Sequence, residues 1–117
     1  MKKILVVDDE ENIRMLYQEE LQEEGYEVTA ASNGNEALEL LSKAGPFELV
    51  TLDIRMTGMD GINTVRAIKE KYQGLAVVLV TAYGEYKQDF STWASDAYIV
   101  KSADLTELKA TIKKIIG

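Results

Sequence analysis

The chain has 117 residues, of which 46% are hydrophobic and 28% are charged, and its 20 acidic and 13 basic side chains give a formal net charge of −7. This length suits one domain with a buried core, so we expect a single domain spanning residues 1–117. The chain contains neither Cys nor His, which excludes disulfides, thiolate or imidazole metal sites, and catalysis by either side chain. The negative charge disfavours direct nucleic-acid binding, and no apolar run approaches the ~20 residues that span a bilayer. We therefore expect a cytoplasmic protein with no membrane partner.

Apolar runs and amphipathic segments alternate from the amino terminus onward. Residues 4–7 form a continuous apolar run, which is typical of a strand buried on both faces. The next segment predicts an amphipathic helix with apolar residues at helical spacing, namely Ile13, Leu16, Tyr17 and Leu21. Residues 26–31 predict a second strand, and Asn33 precedes a second, short helix.

The same alternation continues through the second half of the chain. Further strands are predicted at residues 49–52, 75–80 and 97–100. A third helix follows the turn-rich loop at 54–61, and a weakly patterned fourth helix is expected within 83–95. Asp104 and Glu107 resemble a capping box that opens a fifth helix.

Five strands, each followed by a helix, predict an α/β fold with an open, doubly wound parallel sheet. The expected strand order is 2-1-3-4-5, which makes strands 1 and 3 neighbours where the strand order reverses. In such sheets, ligands bind beyond the carboxyl ends of the strands at this point.

Polar residues stand at four of these strand ends: Asp8, Asp9, Asp53, Thr81 and Lys101. Each alone is explained by helix capping or by exposure at the surface. Together they indicate one pocket, in which three carboxylates repel one another and favour a bound cation. Oxygen ligands in an open site suit Mg²⁺, with phosphate as a co-ligand. Asp53, alone on the central strand, is the candidate nucleophile, because an Asp carboxylate can form a covalent phosphoryl intermediate.

Four segments carry a resemblance to a known family: ILVVDDE at 4–10, LDIRMTGMDG at 52–61, TAYGE at 81–85 and AYIVKS at 97–102. Over essentially its whole length the chain resembles the receiver domain of bacterial two-component response regulators. The resemblance implies a flavodoxin-like fold with five strands and five helices, a requirement for Mg²⁺, and phosphorylation by a sensor histidine kinase or a histidine phosphotransfer protein. It also implies a signalling switch that catalyses its own phosphorylation and dephosphorylation and docks a downstream target protein.

The resemblance assigns roles residue by residue. Asp53 corresponds to the phosphoacceptor and is expected to contact the metal, Asp9 to a direct metal ligand, and Asp8 to a ligand acting largely through water. The backbone carbonyl of Arg55 corresponds to a further metal ligand. Two residues correspond to the hydroxyl and the lysine that contact phosphate, namely Thr81 and Lys101. Tyr98 corresponds to an aromatic switch, whereas without the resemblance it would be an ordinary strand aromatic.

Three departures from the usual family pattern stand out. Thr57 replaces a Pro in the loop after the acceptor, which predicts looser loop geometry. Ser102 replaces the Pro that usually follows the lysine in a cis peptide bond, and we expect the cis bond to be retained here. The segment between Thr81 and Lys101 is shorter than usual, which predicts a short or mobile fourth helix.

Alternative functions remain open. The final helix ends at Gly117, so we expect a stand-alone switch, either of the motility type or a phosphorelay intermediate. A pseudo-receiver would use the same fold as a phosphate-independent interaction module. A Mg²⁺-dependent phosphohydrolase is disfavoured because the second acid expected two residues after the nucleophile is missing: Arg55 stands there. Nucleotide binding is disfavoured because no Gly-rich loop follows the first strand.

Overall fold

A computed structural model describes residues 1–53, 61–81, 96–102 and 104–117. Its centre is one five-stranded, fully parallel sheet. The strands are β1 (Lys3–Val7), β2 (Glu27–Ala31), β3 (Leu49–Asp53), β4 (Ala76–Thr81) and β5 (Ala97–Val100). They lie in the order β2-β1-β3-β4-β5, which confirms the predicted topology.

Four helices lie within the described residues: α1 (Glu11–Glu23), α2 (Gly34–Lys43), α3 (Gly61–Lys71) and α4 (Thr106–Ile116). The helix predicted within 83–95, with its expected shortness or mobility, lies outside the described residues. Asn33 precedes α2, as expected. The structure shows that it is the N-cap, because its side-chain oxygen accepts a hydrogen bond from the Glu36 backbone N–H at 2.8 Å. No helix in the described ranges is long and apolar enough to cross a membrane.

The start of the last helix differs from the prediction. The helix begins at Thr106 with Leu105 as its N-cap, so Asp104 lies one residue before the cap. The Asp104 carboxylate accepts hydrogen bonds from the backbone N–H and the hydroxyl of Thr106, at 2.9 and 2.6 Å. The predicted capping box with Glu107 is therefore wrong, because the short Asp side chain closes a local turn two residues ahead instead.

The sheet divides the core into two layers, because successive residues of a strand point to opposite faces. One layer, the α1–α4 face, contains Ile4, Val6, Tyr17, Leu21, Val28, Leu49, Val78, Val80, Ile99, Leu108 and Ile112. The other, the α2–α3 face, contains Leu5, Val7, Ala37, Leu41, Val50, Leu52, Val65, Ile68, Val77 and Leu79. Buried apolar runs on the three central strands fill both layers, which explains why those strands are continuously hydrophobic in the sequence.

Candidate functional site

The strand ends bring three charged side chains to one place. Val7 of β1 pairs with Leu52 of β3, so the residues that follow in register, Asp8 and Asp53, are neighbours across the two strands. Asp8, Asp53 and Lys101 lie on the α1–α4 face. Each follows an apolar member of that layer by an even number of residues, and those members are Val6, Leu49 and Ile99. Asp8 and Asp53 are only 2% and 5% exposed. The predicted convergence of these three residues is therefore observed.

Lys101 bridges the two buried carboxylates. Its Nζ atom lies 2.8 Å from Asp8 Oδ2 and 3.0 Å from Asp53 Oδ2. Burial lowers the pKa of the Lys101 ammonium, but hydrogen bonds and charges from Asp8 and Asp53 outweigh that effect, and the net pKa is raised. The lysine thus remains charged and balances part of the negative charge of the site.

A group of three acidic side chains in the described residues could hold a metal ion: Asp8, Asp9 and Glu10. Each offers one carboxylate oxygen, and the three oxygens lie within 4.8 Å of one another. Such a set of hard oxygen donors, one buried and two exposed, fits an open divalent-cation site of the Mg²⁺ type. Glu10 was not a predicted ligand, although it adjoins the two that were, and Asp53 lies outside this group.

The loop that carries the acidic group is held by three hydrogen bonds around Asp8. Its backbone N–H donates to Ala31 O at 3.1 Å, and its Oδ1 accepts from the Glu10 N–H at 2.9 Å. The Arg14 guanidinium on α1 donates to the Asp8 carbonyl oxygen at 2.7 Å. Arg14 was not foreseen from the sequence, because a polar residue on the first turns of a helix has no pattern that reveals a backbone partner.

Replacement of Arg14 by Met is expected to lower the free energy of unfolding by about 1.5 kcal/mol, since a hydrogen bond to a charged donor is lost at a part-buried carbonyl. Urea denaturation without divalent cations measures this change. Lys113→Met, at an exposed position of α4, is the control and should change stability by less than about 0.5 kcal/mol. Equal losses in the two variants would contradict the role assigned to Arg14.

Tyr17 lies beneath the site on α1 and is 2% exposed. Burial raises the pKa of its phenol to about 12, Lys101 acts to lower that pKa, and the charges of Asp8 and Asp53 act to raise it. The phenol is therefore in electrostatic contact with the site although it belongs to the core. Helical spacing predicted its burial but not this coupling.

The raised pKa of Tyr17, which is caused mainly by burial, predicts a loss of stability in alkaline solution. The folded pKa of Tyr17, about 12, exceeds the ordinary value of 10.0, so its contribution is complete below pH 10.0 and is lost as pH rises through about 12. The raised pKa of Lys101 acts in the same direction. Across that interval the wild type should lose about 2 to 3 kcal/mol more than Tyr17→Phe. Urea denaturation of both proteins from neutral to alkaline pH, with a chelator present, measures the difference, and parallel curves would contradict it.

The remaining predicted site residues are only partly described. Thr81 is the last residue of β4 and pairs in register with Val100, but its hydroxyl, like Arg55, lies outside the described part of the chain. Tyr98 is partly buried and packs against the α2–α3 face, on the opposite side of β5 from Lys101. The roles given to these three residues stay predictions.

The Lys101–Ser102 peptide bond corrects one expectation. Among the described residues the cis peptide bond is Gly45–Pro46, so the bond after Lys101 is trans and the expected cis geometry is wrong. Without Pro, a cis bond costs about 2.5 to 4 kcal/mol, which favours the trans form. Lys101 nevertheless reaches both carboxylates.

A separate cavity of about 720 Å³ opens at the other end of the sheet. It lies beside the residues that precede the strands, such as Lys2, Glu48 and Leu75, and its walls are partly polar and partly apolar. It contains none of the strand-end residues, so the acidic edge of the sheet, not this cavity, is the candidate functional site.

The chain belongs to the response regulator receiver domain family, whose model matches residues 4–113. This assignment agrees with the parallel sheet and with the acidic residues and lysine at its carboxyl edge. The family resemblance read from the sequence is thereby confirmed.

Individual relatives match almost the entire chain. It is 36% identical over 117 residues to sporulation initiation phosphotransferase F of Bacillus subtilis, covering 98% of this chain and 94% of that protein. The response regulator TrrA of Thermotoga maritima, solved with Mg²⁺-BeF, is 50% identical with a TM-score of 0.93 and covers 99% of this chain and 100% of its own. In a second structure, of histidine kinase ThkA in complex with TrrA, the matching chain is 50% identical with a TM-score of 0.90. That match covers 100% of this chain and 100% of the matching one. The chain spans only about a quarter of the Escherichia coli regulatory protein AtoC.

Proposed function

We propose that this receiver domain is a cytoplasmic phosphoacceptor switch in which Asp53 receives the phosphoryl group. The observation that carries the proposal is the position of Asp53 at the end of the central strand, where its carboxylate contacts the Lys101 ammonium at 3.0 Å beside the acidic group. A buried carboxylate with a cation already in place is prepared to accept negatively charged phosphate.

The proposed transfer is an in-line displacement. A carboxylate oxygen of Asp53 bonds to phosphorus while the P–N bond of a phosphohistidine breaks, and the electron pair of that bond stays on the imidazole nitrogen, which then takes up a proton. Lys101 balances charge on the phosphoryl oxygens, and Thr81 is proposed to donate its hydroxyl to one of them. In dephosphorylation, water attacks phosphorus, the P–O bond to Asp53 breaks, and inorganic phosphate leaves. The domain would thus catalyse its own labelling and its own reset without being a conventional enzyme.

Asp8 and Asp9 are the residues proposed to hold Mg²⁺, with Glu10 adjacent and with Asp53 and the Arg55 carbonyl as further ligands. Bound there, the ion would supply positive charge that offsets the negative charges of the carboxylates and of the phosphoryl group. The donor set of three clustered carboxylate oxygens supports this choice of ion.

The proposed donor is a histidine kinase or a histidine phosphotransfer protein, and the output is docking of a downstream protein to the phosphorylated form. TrrA, which is 50% identical to this chain, was solved together with the histidine kinase ThkA. The Bacillus relative that covers nearly the same length is named a phosphotransferase, which favours a phosphorelay role over a motility switch. Tyr98 is proposed as the aromatic residue that reorients on phosphorylation.

The proposal is tested by incubating the whole chain with acetyl phosphate and Mg²⁺ and following its intact mass over time. We expect a gain of one phosphoryl group that decays after the donor is removed and that a chelator prevents. A pseudo-receiver would show no gain in mass. A phosphohydrolase would instead turn over small phosphate esters repeatedly, which released phosphate would reveal.

A further inference from the structure

Asp96, the residue just before β5, binds both backbone groups of one residue of β4. Its backbone N–H donates to Val77 O at 2.7 Å, and its side-chain Oδ2 accepts from the Val77 N–H at 2.8 Å. Residue pairing between β4 and β5 begins one position later, at Val78 with Ala97. The Asp96 carboxylate therefore satisfies a backbone donor at the edge of β4 that β5 itself does not reach.

A lysine from a third element completes this contact. The Lys69 ammonium, in the last turn of α3, lies 2.9 Å from Asp96 Oδ2 and donates to Leu75 O at 2.7 Å. It balances the charge of the carboxylate and ties it to the chain entering β4. Asp96 is thus fixed from two directions at the opposite end of β5 from Lys101.

This fixation matters because burial alone specifies the position of β5 weakly. The strand has four residues and lies at the edge of the sheet, and of its residues only Ile99 is buried, whereas Val100 is 46% exposed. A slip of one residue along β4 would exchange the two faces of the strand. Lys101, which follows in phase with Ile99, would then point away from Asp8 and Asp53.

We propose that Asp96 is a positioning residue which, with Lys69, fixes the register of β5 and so places the Lys101 ammonium between Asp8 and Asp53. This inference rests on the proposed function, because it gives Lys101 its role in phosphoryl binding. If Asp96 only stabilised the fold, its replacement would lower stability without specifically displacing Lys101. The two cases differ in how Mg²⁺ and phosphate analogues bind.

The test measures two affinities of the full chain by calorimetry: that for Mg²⁺ alone, and that for beryllofluoride, a phosphoryl mimic, at saturating Mg²⁺. In Asp96→Ala, a displaced Lys101 no longer competes for the carboxylates, so Mg²⁺ affinity should rise severalfold, while beryllofluoride affinity should fall about tenfold or more. Asp96→Asn keeps an oxygen that can accept from Val77 N–H and should remain within about twofold of wild type. A fall in both affinities for Asp96→Ala would overturn the proposal.

A double-mutant cycle with Lys101→Met separates positioning from general destabilisation. If Asp96 acts through Lys101, Asp96→Ala should have no further effect on beryllofluoride affinity once Lys101 is absent. Additive losses would overturn the proposal. Asp104→Ala removes an Asp from the other side of the lysine and should leave both affinities unchanged. If Asp96→Ala does not fold, Lys69→Met is decided by the same criterion, with opposite changes in the two affinities supporting the proposal and parallel changes rejecting it.

Failure of this inference can be told apart from failure of the proposed function. If wild type and Asp53→Asn gain the same phosphoryl mass, or neither gains any, the proposed function fails. If wild type is labelled and Asp53→Asn is not, yet Asp96→Ala binds both ligands as wild type does, only the role of Asp96 fails.

Discussion

Asp53→Asn is expected to abolish phosphorylation, with labelling by acetyl phosphate reduced at least about 10²-fold, because an amide cannot replace a carboxylate as the nucleophile. The fold should persist, since the Asn side-chain oxygen can still accept from Lys101, which lies 3.0 Å from the Asp53 carboxylate. Intact-mass spectrometry over a time course measures the labelling, and urea denaturation verifies the fold.

Asp9→Asn is the matched control for this experiment. Asp9 belongs to the acidic group but is exposed, so its replacement should weaken Mg²⁺ binding without removing the acceptor. Raising the Mg²⁺ concentration should therefore restore labelling in Asp9→Asn and not in Asp53→Asn. Phosphorylation of Asp53→Asn at the wild-type rate would show that another side chain is the acceptor.

Lys101→Met is expected to change the two ligand affinities in opposite directions. Removing a cation that lies 2.8 Å from Asp8 should raise Mg²⁺ affinity by about tenfold, since charges a few Å apart at a protein surface interact by one to a few kcal/mol. Phosphorylation should slow by about 10²-fold, the scale seen when one charge-stabilising donor is removed from an active site. Calorimetry and the mass time course measure the two effects.

The same variant should also be less stable without metal. Asp8 and Asp53 would be left buried without their shared cation, which lowers the free energy of unfolding by about 3 kcal/mol. Saturating Mg²⁺ should recover much of this loss. Lys101→Arg is the control that retains the charge while changing the shape of the donor. A Mg²⁺ affinity that falls in Lys101→Met would contradict the competition between the two cations.

The layout of the sheet was predictable because it depends on local patterns. Buried parallel strands are short, continuous apolar runs, and the predicted strands agree with the observed ones to within one residue at each end; β5, at residues 97–100, agrees at both. The sequence predicts the start of the last helix too early, because Asp is a residue type that commonly caps helices. Whether the Asp104 carboxylate accepts a hydrogen bond from Thr106 or from Glu107 depends on backbone geometry that the sequence does not display.

The site was predictable only to the level of which residues meet. Strand ends brought Asp8, Asp53 and Lys101 together from topology alone. The contacts among these side chains were not predictable, because the ion pairs of Lys101 with Asp8 and Asp53 depend on the conformation of a long, flexible side chain. Arg14 and Asp96 were missed for a related reason: both bind backbone groups distant in sequence or out of helical phase, and such contacts leave no periodic signal.

The two-layered core has a consequence for how this molecule tolerates change. The three charged groups of the site share one side of the sheet with α1 and α4, while Leu41, Ile68 and their neighbours fill the other side. The central strands separate these two layers, so repacking the layer that contains Leu41 and Ile68 alters thermal robustness without changing the side chains that surround the charged groups. Substitutions at Leu41 or Ile68 can therefore adjust durability with little effect on the three charged groups. Tyr98 and Lys69, which lie on that far side, are the points at which durability and signalling stay linked.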